Sequence, residues 1–119
     1  MRVVFSLSTC QTCRRVLTET KSERVCRVQD IKSSPITAEQ LDHLARLAGS
    51  YEALFSKRSM KYRAWNLKEK ALTEEDMRDL MLKEYTFIKR PVVVFDDQIF
   101  IGSSVATSAG VKKAIRKLS

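Results

Sequence analysis

Two kinds of hydrophobic pattern alternate along the chain. Arg2 to Leu7 is apolar and β-branched at its centre and reads as a buried strand. Ser8-Thr9 break that run and can cap a helix continuing to about Thr20, with Val16 and Leu17 on its inner face. Arg24 to Ile31 alternates well enough for a second strand. Strand, helix and strand within about 30 residues make a βαβ unit, so these strands are expected to be parallel. Ser33-Ser34-Pro35 close the unit.

Thr37-Ala38-Glu39-Gln40 is a capping box, in which the hydroxyl and Gln40 satisfy free helix amides reciprocally. Leu41, Leu44, Leu47 and Ala48 follow at helical spacing, and Gly49 is the expected stop. Tyr51 to Phe55 fits a short helix. Thr73 opens another, running to about Glu84 with Met77, Leu80 and Met81 inward. The stretch from about Thr37 to Tyr85 is thus expected to be helical. After Arg90-Pro91 the pattern switches: Val92 to Phe95 is a strand, Asp96-Asp97 a tight turn, and Gln98 to Ile101 the returning strand of a hairpin. Gly102 ends it. Val111, Ala114, Ile115 and Leu118 at helical spacing close the chain with an amphipathic helix. The order βαβ, helical segment, ββα predicts an α/β domain with a mixed four-stranded sheet over residues 1–119.

Composition narrows the class. With 44% hydrophobic and 30% charged residues the chain has the balance of a globular domain and not of a disordered one. No apolar run approaches the ~20 residues of a membrane helix. The start, Met1 to Leu7, is too short and too quickly polar for a secretory signal, so a soluble, cytoplasmic protein is expected. Three cysteines, two of them three positions apart, do not make a secreted disulfide scaffold. The net charge of +8 is compatible with nucleic acid, acidic proteins or anionic substrates, and equally with a solvated basic surface.

Cys10-Gln11-Thr12-Cys13 is the candidate chemistry. At a helix start the free amides and the dipole favour a thiolate, and Arg14 and Arg15 add positive charge. Cys10 is therefore expected to have a lowered pKa and to act as a nucleophile. Cys13 lies one turn on, where it can attack an adduct on Cys10 and close a disulfide. A zinc site needs a second pair of ligands; only Cys26 and His43 remain, at no finger-like spacing, so no metal is expected. Two inert buried cysteines is the plain alternative. The position between a strand and a helix of a βαβ unit favours redox chemistry. Cys26, in the second strand, reads as a packed core thiol.

Lys89-Arg90-Pro91-Val92 has two readings. Proline at the first strand position loses no ladder hydrogen bond; alternatively, a cis Arg90-Pro91 bond sets the Arg90 backbone opposite the cysteines. The Arg90 guanidinium suits an oxyanion or a glutathione carboxylate. His43 reads as a surface or boundary residue, and Tyr62 and Trp65 as packing for the helical segment against the core. Lys112, Lys113, Arg116 and Lys117 suit a solvated helix C-terminus, with polymerase or nucleic-acid binding as the alternative.

Cys10-Gln11-Thr12-Cys13-Arg14, Asp30-Ile31 with Pro35-Ile36-Thr37, Phe55-Ser56-Lys57-Arg58-Ser59, Lys89-Arg90-Pro91-Val92-Val93-Val94 and Ile101-Gly102 together resemble the ArsC/Spx family over essentially the whole chain. The resemblance implies a thioredoxin-like core, residues 1–36 and 86–119, interrupted by a helical insertion, residues 37–85, with Pro91 in cis. In the arsenate-reductase branch the cysteine matching Cys10 attacks arsenate, arginines hold the oxyanion, and glutathione with glutaredoxin completes the reduction. By position Arg90 would be an oxyanion ligand and Arg14 would stabilise the Cys10 thiolate. Arg58 falls on an arginine of the Spx branch, whereas the reductase-branch arginine aligns with Ser56.

Cys13 stands where those reductases commonly have serine, as it does in Spx. Phe5 to Ser8 lack the reductase histidine, and Gly102-Ser103-Ser104 lack the third arginine. The resemblance therefore implies a monomeric thiol-dependent oxidoreductase with no bound cofactor. Its Cys10 attacks an oxyanion or a glutathione mixed disulfide, Cys13 resolves, and glutathione with glutaredoxin, or thioredoxin, supplies electrons. The alternative is an Spx-like redox-sensing regulator that binds the C-terminal domain of the RNA polymerase α subunit.

Overall fold

A computed structural model describes residues 1–118. Four strands, β1 (Arg2–Ser6), β2 (Arg27–Asp30), β3 (Val92–Phe95) and β4 (Gln98–Ile101), form one sheet in the order β2-β1-β3-β4. β1 pairs in parallel with β2 and antiparallel with β3, and β3 with β4. The mixed sheet expected from element order is the one observed. The two inner strands explain their own composition: Val3 to Ser6 of β1 and all of β3 are buried, as continuous apolar runs on an inner strand require.

Two helices belong to the same unit, α1 (Gln11–Thr20) and the C-terminal helix, which closes residues Val105–Arg116. Val4, Cys26, Val93, Phe95 and Val111 form a buried cluster, with Leu17, Phe100 and Ile115 packed at its margin. Gly110 lies in the C-terminal helix where an added Cβ would come 2.9 Å from the Phe100 ring, so the missing side chain sets how closely this helix approaches β4. At the hairpin Asp96 takes φ 59°, and its carboxylate accepts from the Arg2 guanidinium at 3.2 and 3.3 Å.

Three boundaries differ from the periodicity. Ser8 and Thr9 do not cap α1; the cap position is Cys10, because the Ser8 hydroxyl donates to Asp30 instead. The second strand begins at Arg27 and not at Arg24. Lys21 ends α1 in the left-handed region and Ser22–Arg24 form a 3₁₀ turn, which leaves Cys26 just before β2. Leu118 lies beyond the C-terminal helix and is exposed.

The contacts divide the chain into Met1–Ser34 with Arg90–Ser119, described above, and Pro35–Lys89. The second unit holds α2 (Ala38–Ala48), α3 (Met60–Ala64) and α4 (Glu74–Lys83) with short 3₁₀ turns; numbered in chain order, the C-terminal helix is α5. Both threonine caps form. The Gln40 amide donates to Thr37 Oγ1 at 3.0 Å, and the Asp76 amide to Thr73 Oγ1 at 3.1 Å; each cap amide is answered by the side chain three residues on. Gly49 stops α2 at φ 96°. Met77 and Met81 are buried and Leu80 only half-buried. Tyr51 to Phe55 contains a single 3₁₀ turn, Glu52–Leu54.

The turn after α2 is held by charge. Asp42 of α2 accepts from the Arg78 guanidinium at 2.8 and 3.2 Å and from the Tyr51 hydroxyl at 2.6 Å, while Glu74 accepts from the Tyr51 and Glu52 amides. The Arg78 and Tyr51 bonds hold the Asp42 carboxyl at about 2, below its ordinary 3.8. A depressed folded-state value contributes stability above the ordinary value that is lost as pH falls toward 2. Acid titration of urea stability should therefore show a steeper loss between about pH 4 and 2 in the wild type than in Asp42→Asn. Equal slopes in the two proteins exclude this role.

Candidate functional site

The cysteines are placed by the way β1 ends. Its ladder stops at Ser6; the Cys10 amide then donates to the Leu7 carbonyl at 2.9 Å, closing a turn over Ser8-Thr9. Asp30, opposite Ser6 in the β1–β2 register, fastens that turn, its carboxylate accepting from the Ser8 hydroxyl at 2.6 Å and the Lys32 amide at 3.1 Å. The Ser8 bond, first among these, holds the Asp30 carboxyl below its ordinary value. Cys10 enters as the helix cap with extended backbone, and its carbonyl accepts the first helical bond, from the Arg14 amide, at 3.1 Å.

The two thiols are unequal. Cys10 is half-buried and Cys13 wholly buried, and both are free. Burial alone would raise Cys10, but the Cys13 amide, the Cys13 thiol, the Thr12 amide and the Arg90 charge outweigh it, and the thiol lies below its ordinary value. Burial is the main cause that pushes Cys13 up, reinforced by its neighbour Cys10; bonds from the Leu7 amide and the Ser6 hydroxyl oppose it. The pair is thus a half-buried thiol that favours the thiolate with a wholly buried thiol beside it, the asymmetry a two-step exchange uses.

Arg90 precedes a cis peptide to Pro91 and supplies positive charge to Cys10. Arg14 has an exposed side chain one turn into α1. Arg15 is turned to the Ser103 carbonyl (3.1 Å) and Glu19 (3.6 Å). Arg58 belongs to the Pro35–Lys89 unit, where it lines a cavity of about 610 Å³ with Lys57, Arg63 and Lys68. Cys26 is buried, and burial pushes its thiol up, in keeping with a core residue. His43 is half-buried on α2, and Lys112, Lys113, Arg116 and Lys117 are exposed. Tyr62 and Trp65 pack within their own unit, against Phe55 and Phe87.

Among the described residues no three His, Cys, Asp or Glu side chains gather as a metal site. None of the described helices is long and apolar enough to cross a membrane. Sequence reasoning missed Ser6, the Leu7 amide and Asp30. The available signal was a serine closing an otherwise apolar strand, since a buried hydroxyl requires a partner.

The strand order and the cysteine pair at the head of α1 define a thioredoxin-like fold with a dithiol at its first helix. The ArsC family model matches residues 5–109, and the chain belongs to the ArsC family. Similar solved structures include an arsenate reductase from Vibrio cholerae, with 19% identity, TM-score 0.76, and coverage of 95% of this chain and 96% of that one. An arsenate reductase (ArsC) related protein from Brucella melitensis has 20% identity and TM-score 0.70, covering 92% of each chain. A Staphylococcus aureus protein has 23% identity and TM-score 0.72, covering 92% of this chain and 97% of its own. No curated protein sequence matches.

Proposed function

We propose that this ArsC-family protein is a thiol oxidoreductase in which Cys10 is the nucleophile and Cys13 the resolving thiol. The observation that carries the reading is the unequal pair itself, Cys10 half-buried and favoured as thiolate, Cys13 wholly buried one turn on. With a glutathione mixed disulfide, Cys10 attacks one sulfur, the S–S bond breaks, and the departing thiolate takes a proton from water. Cys13 then attacks Cys10 Sγ, displacing the second thiolate and leaving a Cys10–Cys13 disulfide. The substrate gains two electrons and the cysteine pair loses them. Glutathione with glutaredoxin, or thioredoxin, returns the pair to the dithiol.

Arg90 widens the substrate class to oxyanions such as arsenate. Its fixed positive charge beside Cys10 can hold an anion while the thiolate attacks the central atom. Arg14 is assigned as a further anion contact by its family position.

Oxidation of the reduced protein should form one intramolecular disulfide, found by peptide mapping between Cys10 and Cys13. In Cys13→Ser the reaction should stop at a stable Cys10–glutathione adduct. A Cys13→Ser protein that turns over mixed disulfide at the wild-type rate rules out resolution by Cys13. Absence of turnover on both mixed disulfide and arsenate, with either reductant, rejects the enzymatic reading.

A further inference from the structure

Resting on the reading of Cys10 as nucleophile, its rate depends on where the chain sets it down after β1. The ladder ends at Ser6, and Cys10 follows a turn whose two middle residues, Ser8 and Thr9, are exposed. Backbone closes the turn through the Cys10 amide and the Leu7 carbonyl at 2.9 Å, and Cys10 adds no side-chain cap bond to α1. The side-chain anchor comes from the neighbouring strand: the Ser8 hydroxyl donates to the Asp30 carboxylate at 2.6 Å, the length of a charge-assisted bond. Asp30 is itself firmly held. It stands opposite Ser6 in the β1–β2 register, and its carbonyl accepts from the Ser34 amide at 2.8 Å. The next amide, Ile31, donates to the Ser6 carbonyl at 2.9 Å, and the second carboxylate oxygen accepts from the Lys32 amide at 3.1 Å.

We propose that Asp30 is a positioning residue for Cys10: by gripping the Ser8 hydroxyl it fixes the turn, and with it the place where the Cys10 thiol meets the head of α1. The thiol needs that place. The amides that favour its anion belong to Thr12 and Cys13 in the first turn of α1, and the Arg90 charge adds to them. Hydrogen bonds weaken steeply with misalignment, so a loosened turn lowers both the share of thiolate and the fraction of it aimed at a substrate. Asp30 acts through Ser8 and takes no part in proton transfer. Its charge works the other way, which separates the two effects. A carboxylate near a thiol disfavours the thiolate by like charge. Were charge its only influence, removing it would favour the Cys10 anion, and removing the Ser8 hydroxyl would change nothing.

The test is the pH profile of Cys10 alkylation by iodoacetamide in the reduced protein, followed on the Cys10 peptide by mass spectrometry. In the wild type the half-point should lie below that of a free cysteine. Ser8→Ala should move the half-point up and slow alkylation near neutral pH by about threefold or more, the scale of one lost hydrogen bond. Asp30→Ala, which loses the grip and the charge together, should also move it up. Ser8→Thr, which keeps the hydroxyl, should return the rate to within about twofold of wild type. A variant that is merely less stable keeps the wild-type profile while it remains folded, so circular dichroism at each pH accompanies the rates.

A Ser8→Ala profile that overlays the wild type overturns the role of Asp30 and leaves the dithiol reading intact. A half-point that stays or falls in Asp30→Ala overturns it too, as does a Ser8→Thr protein as slow as Ser8→Ala. A wild-type half-point at the free-cysteine value overturns the nucleophile reading on which the proposal rests.

Discussion

Cys10→Ser is expected to lower thiol-disulfide exchange by more than about a thousandfold, the scale on which removing a nucleophile acts. The helix start, the Cys13 and Thr12 amides and the Arg90 charge favour an anion at this atom, yet serine has no accessible anion near neutral pH and cannot form a disulfide. The fold should not suffer. Cys10 is the cap of α1 and makes no side-chain cap bond, whereas serine is among the preferred residues there. Rates of mixed-disulfide reduction, coupled to glutathione and glutaredoxin, should fall to background while the thermal midpoint holds or rises. Because the Cys10 thiol is lowered, the wild-type rate should reach its plateau at a pH below that of a free cysteine. Residual exchange within tenfold of wild type would assign the chemistry to another residue.

The second large effect is on stability. Phe87 is wholly buried in the Pro35–Lys89 unit, stacked on Phe55 at 5.4 Å and 14° and touched by Trp65 at 5.4 Å. Tyr62 adds an edge contact to Phe55 at 6.2 Å. Phe87→Ala removes one of the two inner rings of this group and leaves a cavity, with an expected cost of about 3–5 kcal/mol. Against a total near 5–15 kcal/mol for a domain, that is a large fraction. Trp65 is the chain's one tryptophan and a direct neighbour of Phe87, so its fluorescence in a urea titration reports the loss. Phe87→Leu, which keeps most of the volume, should cost distinctly less. A Phe87→Ala midpoint indistinguishable from wild type contradicts the packing described.

The two inner strands were legible because buried strands are apolar runs, whereas the start of β2, a largely exposed strand, was misplaced by three residues. Val92 to Phe95 and Gln98 to Ile101 occupy the residues the pattern assigns. The two threonine caps were legible for a different reason: hydroxyl, spacing and acceptor all lie within four residues. Periodicity failed where a distant partner decides the outcome. Ser8 looks like a cap, and Asp30, twenty-two positions away, takes its hydroxyl. The short α3 and the 3₁₀ turn at Leu67–Glu69 are too brief to leave a period; Ser59 as the cap of α3 and Asn66 in the left-handed region are their local marks. At the site the cysteines, Arg90 and Pro91 could be read from the chain.

The nesting of the two contact units has a consequence for synthesis on the ribosome. Pro35–Lys89 is one uninterrupted segment, with both capping boxes and its aromatic group complete once Lys89 has emerged. The sheet cannot close then. β1 sits between β2 and β3, and its register with β3 joins Arg2 to Phe95, so one whole edge of the earliest strand made waits for nearly the last. Until then a nascent β1 can hold only its parallel neighbour β2, with its other edge unpaired and open to misassociation. The dithiol, carried by the turn and helix directly after β1, is therefore translated long before the sheet that supports it can be finished.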